Sequence, residues 1–184
     1  LSYEYDETGT VITYLDAEGN PIIRSDGYSI IVRTQAGGRA SDDFYYDLKG
    51  KQVQCSGGYY GTHREFNTEG QNTSLTFLDK DGLAVSTSSG YAIKTYQRDR
   101  NGTVVGEQYF DTEGNPVRSL LGQYGESYQR NEQGHIGQIT YLDADGNPDP
   151  TNAGYTILRR TYHRDGTADT DMYFDAKGNP KALS

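Results

Sequence analysis

The phrase Tyr109-Phe110-Asp111-Thr112-Glu113-Gly114-Asn115-Pro116 returns as Tyr14 to Pro21, Tyr141 to Pro148 and Tyr173 to Pro180. Looser copies stand at Tyr45 to Gln52 and Phe77 to Ala84. The six aspartates, Asp16, Asp47, Asp79, Asp111, Asp143 and Asp175, are spaced 31, 32, 32, 32 and 32 residues apart. A fixed period of this length means a repeat architecture, in which each unit buries its core against its neighbours. At 184 residues the chain could otherwise be one ordinary globular domain. The units end near residues 21, 52, 84, 116, 148 and 180, and residues 1–184 read as one repeat module. The chain opens in mid-motif without an initiator methionine, as a fragment of a larger protein would.

Composition sets the kind of repeat. There are 17 tyrosines and 23 glycines against one methionine and no tryptophan, and no amphipathic helical run is present. Tyrosine suits strands, while glycine, aspartate and asparagine suit turns. The expectation is an all-β, elongated, solenoid-like array of tandem β-hairpins. Asp-x-x-Gly tetrapeptides such as Asp16 to Gly19 fit type I turns with a left-handed glycine. A second family lies between the aromatic pairs, at Asp6 to Gly9, Gln35 to Gly38, Asn67 to Gly70, Asp99 to Gly102, Asn131 to Gly134 and His163 to Gly166. A further corner glycine sits at Gly27, Gly58, Gly90, Gly122 and Gly154. Pro21, Pro116, Pro148 and Pro180 belong at strand ends or edges, because proline cannot donate to a central ladder.

The units are of two kinds. Four residues before the aspartate the series reads Ile12, Asp43, Leu75, Glu107, Ile139, Asp171. Fourteen residues after it the series is Ile30, Gly61, Ile93, Gly125, Ile157. Both alternate, so the true period is about 64 residues and the six units form three unlike pairs. Alternating hairpin orientations, or a superhelix with inner and outer faces, would give the two kinds different surroundings. The pairs Arg64/Phe66, Tyr96/Arg98, Tyr128/Arg130 and Arg160/Tyr162 place an arginine and an aromatic on one strand face, in either order, as cation–π contacts would.

No catalytic constellation is legible. His63, His135 and His163 occupy different repeat positions, and Ser86 to Ser89 has no partnered base. No glycine-rich loop leads into a helix, so no nucleotide site is indicated. Asp143-Ala144-Asp145-Gly146-Asn147 resembles part of a calcium loop but lacks the closing glutamate, and Lys49 and Lys177 replace the middle acid in other copies. The turn aspartates therefore read as turn-makers, with no metal site and no cofactor expected. Cys55 is alone, which excludes an intrachain disulfide and a cysteine metal site, and reads as a loop substitution. A net charge of −9 argues against nucleic acid and anionic membrane surfaces as partners. No apolar run approaches the ~18 residues of a membrane span.

The aromatic rows are the feature most compatible with a task. Tyr28, Tyr59, Tyr91 and Tyr155 at the corners, with Tyr60 and Tyr124, are the candidate binding residues, since flat faces with hydroxyl handles suit sugars and proteins alike. Inter-repeat core is the competing use of the same rings. Tyr14 to Pro21, Gly58 to Gly61 and the copies at 109–116, 141–148 and 173–180 resemble the tandem Tyr/Gly-rich repeats of Gram-positive surface proteins. They are distantly similar to choline- and glucan-binding cell-wall repeats and to Tyr-Asp repeats. The cell-wall repeats are about 20 residues long with a tryptophan cage, whereas this chain has 32-residue units and no tryptophan. The resemblance implies hairpin arrays, an extracellular location (secreted or on the cell surface) and a non-catalytic role in binding cell-wall or host glycan. A structural spacer, or a stalk for adhesion to another surface protein, is the alternative. An exposed edge strand could also pair chain to chain.

Overall fold

The computed structural model describes residues 1–5, 9–35 and 40–182. The turns expected at Asp6 to Gly9 and Gln35 to Gly38 lie outside the described residues save for Gly9 and Gln35. The chain forms two compact units, residues 1–94 with 111–113 and residues 95–110 with 114–184. The first holds β1 (Ser2–Tyr5), β2 (Gly9–Thr13), β3 (Ile30–Gln35), β4 (Ala40–Tyr46), β5 (Gly61–Phe66) and β6 (Asn72–Leu78). These pair antiparallel in chain order. The boundary falls inside β7 (Ile93–Arg98). The second unit holds β8 (Val104–Phe110), β9 (Gly125–Arg130), β10 (Ile136–Leu142), β11 (Ile157–Tyr162) and β12 (Ala168–Phe174), again antiparallel in chain order. Among the described residues there is no helix. The fold is all-β, built of consecutive hairpins as the repeat requires.

One turn geometry recurs three times per repeat. In the first loop the Asp16 N–H donates to the Asn20 carbonyl at 2.9 Å and the Gly19 N–H to the Asp16 carbonyl at 3.2 Å. Asp16 Oδ1 accepts from the Glu18 and Asn20 N–H groups, so its side chain closes the loop from within. The corner has the same pattern, with Arg24 donating to Tyr28 and Gly27 to Arg24. So has the hairpin turn at Asn67 to Gln71. Gly19, Gly27 and Gly70 have φ of 88°, 95° and 75°, a conformation that only glycine adopts cheaply. Pro21, Pro116, Pro148 and Pro180 each make an isolated bridge to the residue before the repeat aspartate, as in Leu15 with Pro21 and Phe110 with Pro116. The following residue makes the ladder bond instead, Ile22 N–H donating to the Tyr14 carbonyl, so the missing donor costs nothing.

Rings from the strand ends and the corners interleave into a ladder. In the first unit Tyr14, Tyr28, Tyr45, Tyr59, Phe77 and Tyr91 follow one another with centroid spacings of 5.9, 4.4, 5.9, 4.7 and 5.9 Å. In the second, Tyr141, Tyr155 and Tyr173 are 5.4 and 4.7 Å apart. Each such contact contributes about 0.5–1.5 kcal/mol beyond burial of its area. The corners also hydrogen-bond one to the next: Ser56 N–H donates to the Asp26 carbonyl, Ser88 to Gly57, and Asn152 to Leu121.

The alternation of unit kinds has a counterpart in the strand register. Where consecutive hairpins meet, the second series faces the residues three before the aspartate, and the first series pairs one residue along. Thr13 pairs with Ile30 and Thr140 with Ile157, whereas Phe44 pairs with Gly61 and Gln108 with Gly125. Small stands opposite large at every one of these junctions. One residue along, Ile12 pairs with Ile31 and Ile139 with Leu158, but Asp43 pairs with Thr62 and Glu107 with Glu126. The junctions are thus of two kinds, apolar at β2–β3 and β10–β11 and polar at β4–β5 and β8–β9. A Cβ on Gly61 would stand 2.5 Å from the Asp43 carbonyl oxygen and 2.7 Å from Phe44 Cδ1. Gly137, also in a strand, would meet nothing closer than 3.8 Å. By urea denaturation, Gly61→Ala should destabilise by about 1–3 kcal/mol, and Gly137→Ala should stay within about 0.5 kcal/mol of wild type. Equal effects would refute the size-matching account.

Candidate functional site

The six candidate tyrosines divide into two groups. Tyr28, Tyr59 and Tyr91 belong to the ladder of the first unit and Tyr155 to that of the second, where their faces pack on neighbouring rings. Tyr28 and Tyr155 are buried, and Tyr59 and Tyr91 half-buried. Tyr60 and Tyr124 stand one residue further along, off the ladder and half-buried. The Arg118 guanidinium lies 4.9 Å above the Tyr124 ring and donates to the Gly122 carbonyl. At the ladder position of that repeat Gln123 replaces tyrosine; it is buried and bonds to Ser119 and Glu126. Cys55 does open a corner turn, but its side chain is buried against Ile12, Tyr28, Ile31 and Tyr45. It is a small core residue as well as a loop substitution.

The arginine–aromatic pairs are not interchangeable contacts. Three of the four first members, Arg64, Tyr128 and Arg160, contact one of the alternating acids. Asp43, 1% exposed, receives Arg33 through Nε at 2.6 Å and Nη2 at 2.8 Å, and Arg64 through Nη1 at 2.6 Å. Asp171 receives Arg160 through Nε and Nη2, both at 2.6 Å. Where the acid is Glu107, the corresponding residue is Tyr128, whose hydroxyl donates to Glu126 Oε2 at 3.0 Å. Of the expected cation–π pairs, Arg98 lies 6.0 Å from the Tyr96 ring. Burial pushes the Asp43 carboxyl upward, but its two arginines outweigh that and hold it below the ordinary range. Burial pushes Glu126 up, reinforced by Glu107 and opposed by the Tyr128 and Gln123 hydrogen bonds. The Tyr128 phenol is driven well above its usual value by burial and then by both carboxylates.

The turn aspartates look inward. Asp143 Oδ1 accepts from the Asp145 and Asn147 N–H groups at 2.9 and 2.8 Å, and the Asn147 side chain also bonds to it. Those backbone bonds, the Asn147 bond first, hold its carboxyl below the usual carboxylate range. Among the described residues no three of His, Cys, Asp and Glu converge as metal ligands would.

A cleft of about 410 Å³ opens on the face of β4, β5 and β6 opposite the ladder. Two rungs across the sheet build it. In one, Asp42, His63 and Thr76 are consecutive cross-strand partners, and His63 Nδ1 lies 2.6 Å from Asp42 Oδ1. In the next, Phe44, Gly61 and Leu78 align. Gly61 has no side chain, so the Phe44 ring lies over its backbone and forms a wall with Leu78 and Ala84. The turn between Asp79 and Gly82 adds Asp81, whose carboxylate also binds Lys80. The cleft thus sets an apolar wall beside carboxylates, an imidazole and a hydroxyl. Sequence reading placed Gly61 in an alternating series but had no means of linking it to Phe44, since only strand register brings them together.

The chain matches no protein-family model and none of the curated proteins.

The buried charges make opposite predictions. Asp43, with its folded value lowered, stabilises the fold above the ordinary carboxylate range and loses that contribution as pH falls through the folded value. Asp43→Asn leaves two arginines facing a neutral group and should cost about 3 kcal/mol at neutral pH, read from urea denaturation. Glu126, with its folded value raised, stabilises fully below the ordinary glutamate value of about 4.3 and loses that contribution as pH rises through the folded value. Glu126→Gln should therefore be more stable than wild type at neutral pH, with the gap closing in acid. A stability profile shifted in parallel at all pH values would contradict this assignment.

Proposed function

We propose that this chain is a non-catalytic repeat module that binds cell-wall or host glycan as part of a larger secreted or cell-surface protein. The observation that carries the reading is the β4–β6 cleft. Sugar rings present an apolar C–H face and a rim of hydroxyls, and the cleft offers the Phe44 wall beside the Asp42–His63 pair. The resemblance to Tyr/Gly-rich surface repeats supports the same class of ligand. Of the tyrosines, Tyr60 and Tyr124 remain candidate contacts, because the ladder does not use them. A spacer or adhesion stalk is the second reading, favoured by the ring ladder and the corner-to-corner hydrogen bonds, which suit a load-carrying array.

A glycan array probed with the 184-residue chain separates the two. Retention of a wall or host glycan is expected, with Asp42→Asn and Phe44→Ala each weakening it about tenfold, or ~1.4 kcal/mol. Asp42→Asn should leave the melting temperature near wild type, whereas Tyr28→Ala should lower it by breaking the ladder. Absence of any retained glycan, with the fold intact, would leave the spacer reading in place.

A further inference from the structure

A second groove, of about 260 Å³, lies within the other compact unit. Its aliphatic lining comes from Ile136 with Ile139 and Leu158, the last two a directly paired couple from β10 and β11. His135, from the turn before β10, stacks on Tyr162 of β11 with centroids 4.6 Å apart and planes 24° from parallel. The Tyr162 hydroxyl donates to the Ile136 carbonyl at 2.9 Å, which fixes the ring pair. Two guanidinium groups complete the groove, Arg130 from β9 and Arg160 from β11.

The two arginines are held differently. Arg160 is forked on Asp171 through Nε and Nη2, leaving Nη1 outside the fork. Arg130 is held by neutral carbonyls, Nη1 donating to Gly134 at 2.9 Å and Nη2 to Val104 at 3.3 Å. Among the described residues no carboxylate pairs with Arg130. Its five N–H donors exceed the two acceptors it meets. Arg160 is neutralised by Asp171, so the groove carries one unbalanced positive charge, that of Arg130, beside the His135 ring.

We propose that this groove binds an oxyanion carried on a small ring, a carboxylate as in a uronic acid or a phosphate as in a sugar phosphate. Arg130 and His135 bind the anionic oxygens, and the Tyr162–His135 stack with Ile139 and Leu158 takes the apolar face of the ring. The site does not depend on the β4–β6 cleft, so either assignment can fail alone.

Inorganic phosphate, glucuronate and glucose are titrated separately into the 184-residue chain at low ionic strength, with NMR detection of the arginine side-chain N–H and histidine ring signals. Saturable shifts at Arg130 and His135 are expected with phosphate, glucuronate or both, and none with glucose. Response to phosphate alone assigns the phosphate source, and response to glucuronate alone assigns the carboxylate. Arg130→Gln should weaken binding about tenfold or more, while the exposed Arg164→Gln leaves it unchanged. His135→Phe keeps the ring stack, removes the imidazole and should also weaken binding; it carries the test should Arg130→Gln disturb the fold. No saturable shift with either anion, or unchanged binding in both groove variants, overturns the proposal.

Discussion

Ring stacking at the strand ends is the interaction on which the rest depends. The aromatic residues of the repeat phrase can meet only if each corner delivers its ring between two strand ends. That demands a turn tight enough to reverse the chain at both places. The left-handed glycine and the inward-facing aspartate supply it, using the same hydrogen-bond pattern at the loop, the corner and the hairpin. Once those turns are set, the corners lie close enough to hydrogen-bond to one another. The interior is thin, so the rings supply much of the burial that a globular core would provide through leucine and isoleucine.

The strand faces carry a second level of order. Between successive hairpins, large residues meet small ones and polar residues meet polar ones. Asp43 with Arg33 and Arg64, and Glu107 with Glu126 and Tyr128, are two solutions to placing an acid under a sheet. A short carboxylate takes long forked partners, and the glutamate pair takes a phenol. Because a buried pair broken on one side leaves a charge uncompensated, these groups favour one register over its neighbours.

Both candidate sites arise where the polar or basic members of this pattern reach the surface. The β4–β6 cleft exists because Gly61 lets the Phe44 ring fold over the backbone. In the groove of the second unit, Arg130 is anchored by carbonyls at the edge of the His135–Tyr162 stack. Neither uses the turn aspartates that dominate the sequence, since those side chains are consumed by their own loops. The corner tyrosines were the conspicuous candidates, yet four of the six serve the ladder. Chemical type alone could not divide Tyr59 from Tyr60, whose neighbours are set by the pleat.

From the sequence alone follow the all-β class, the repeat boundaries, the left-handed turn glycines and the alternation of two unit kinds. Those features are local or periodic, governed by backbone sterics and by spacing that linear order records. Register decided the remainder. It placed Gly61 opposite Phe44, turned Arg64 toward Asp43, buried Cys55 among rings and assembled Asp42, His63 and Thr76 across three strands. Most of those contacts join residues from different hairpins. A one-residue slip would send each side chain to the other face, so only the folded sheet determines which of them meet.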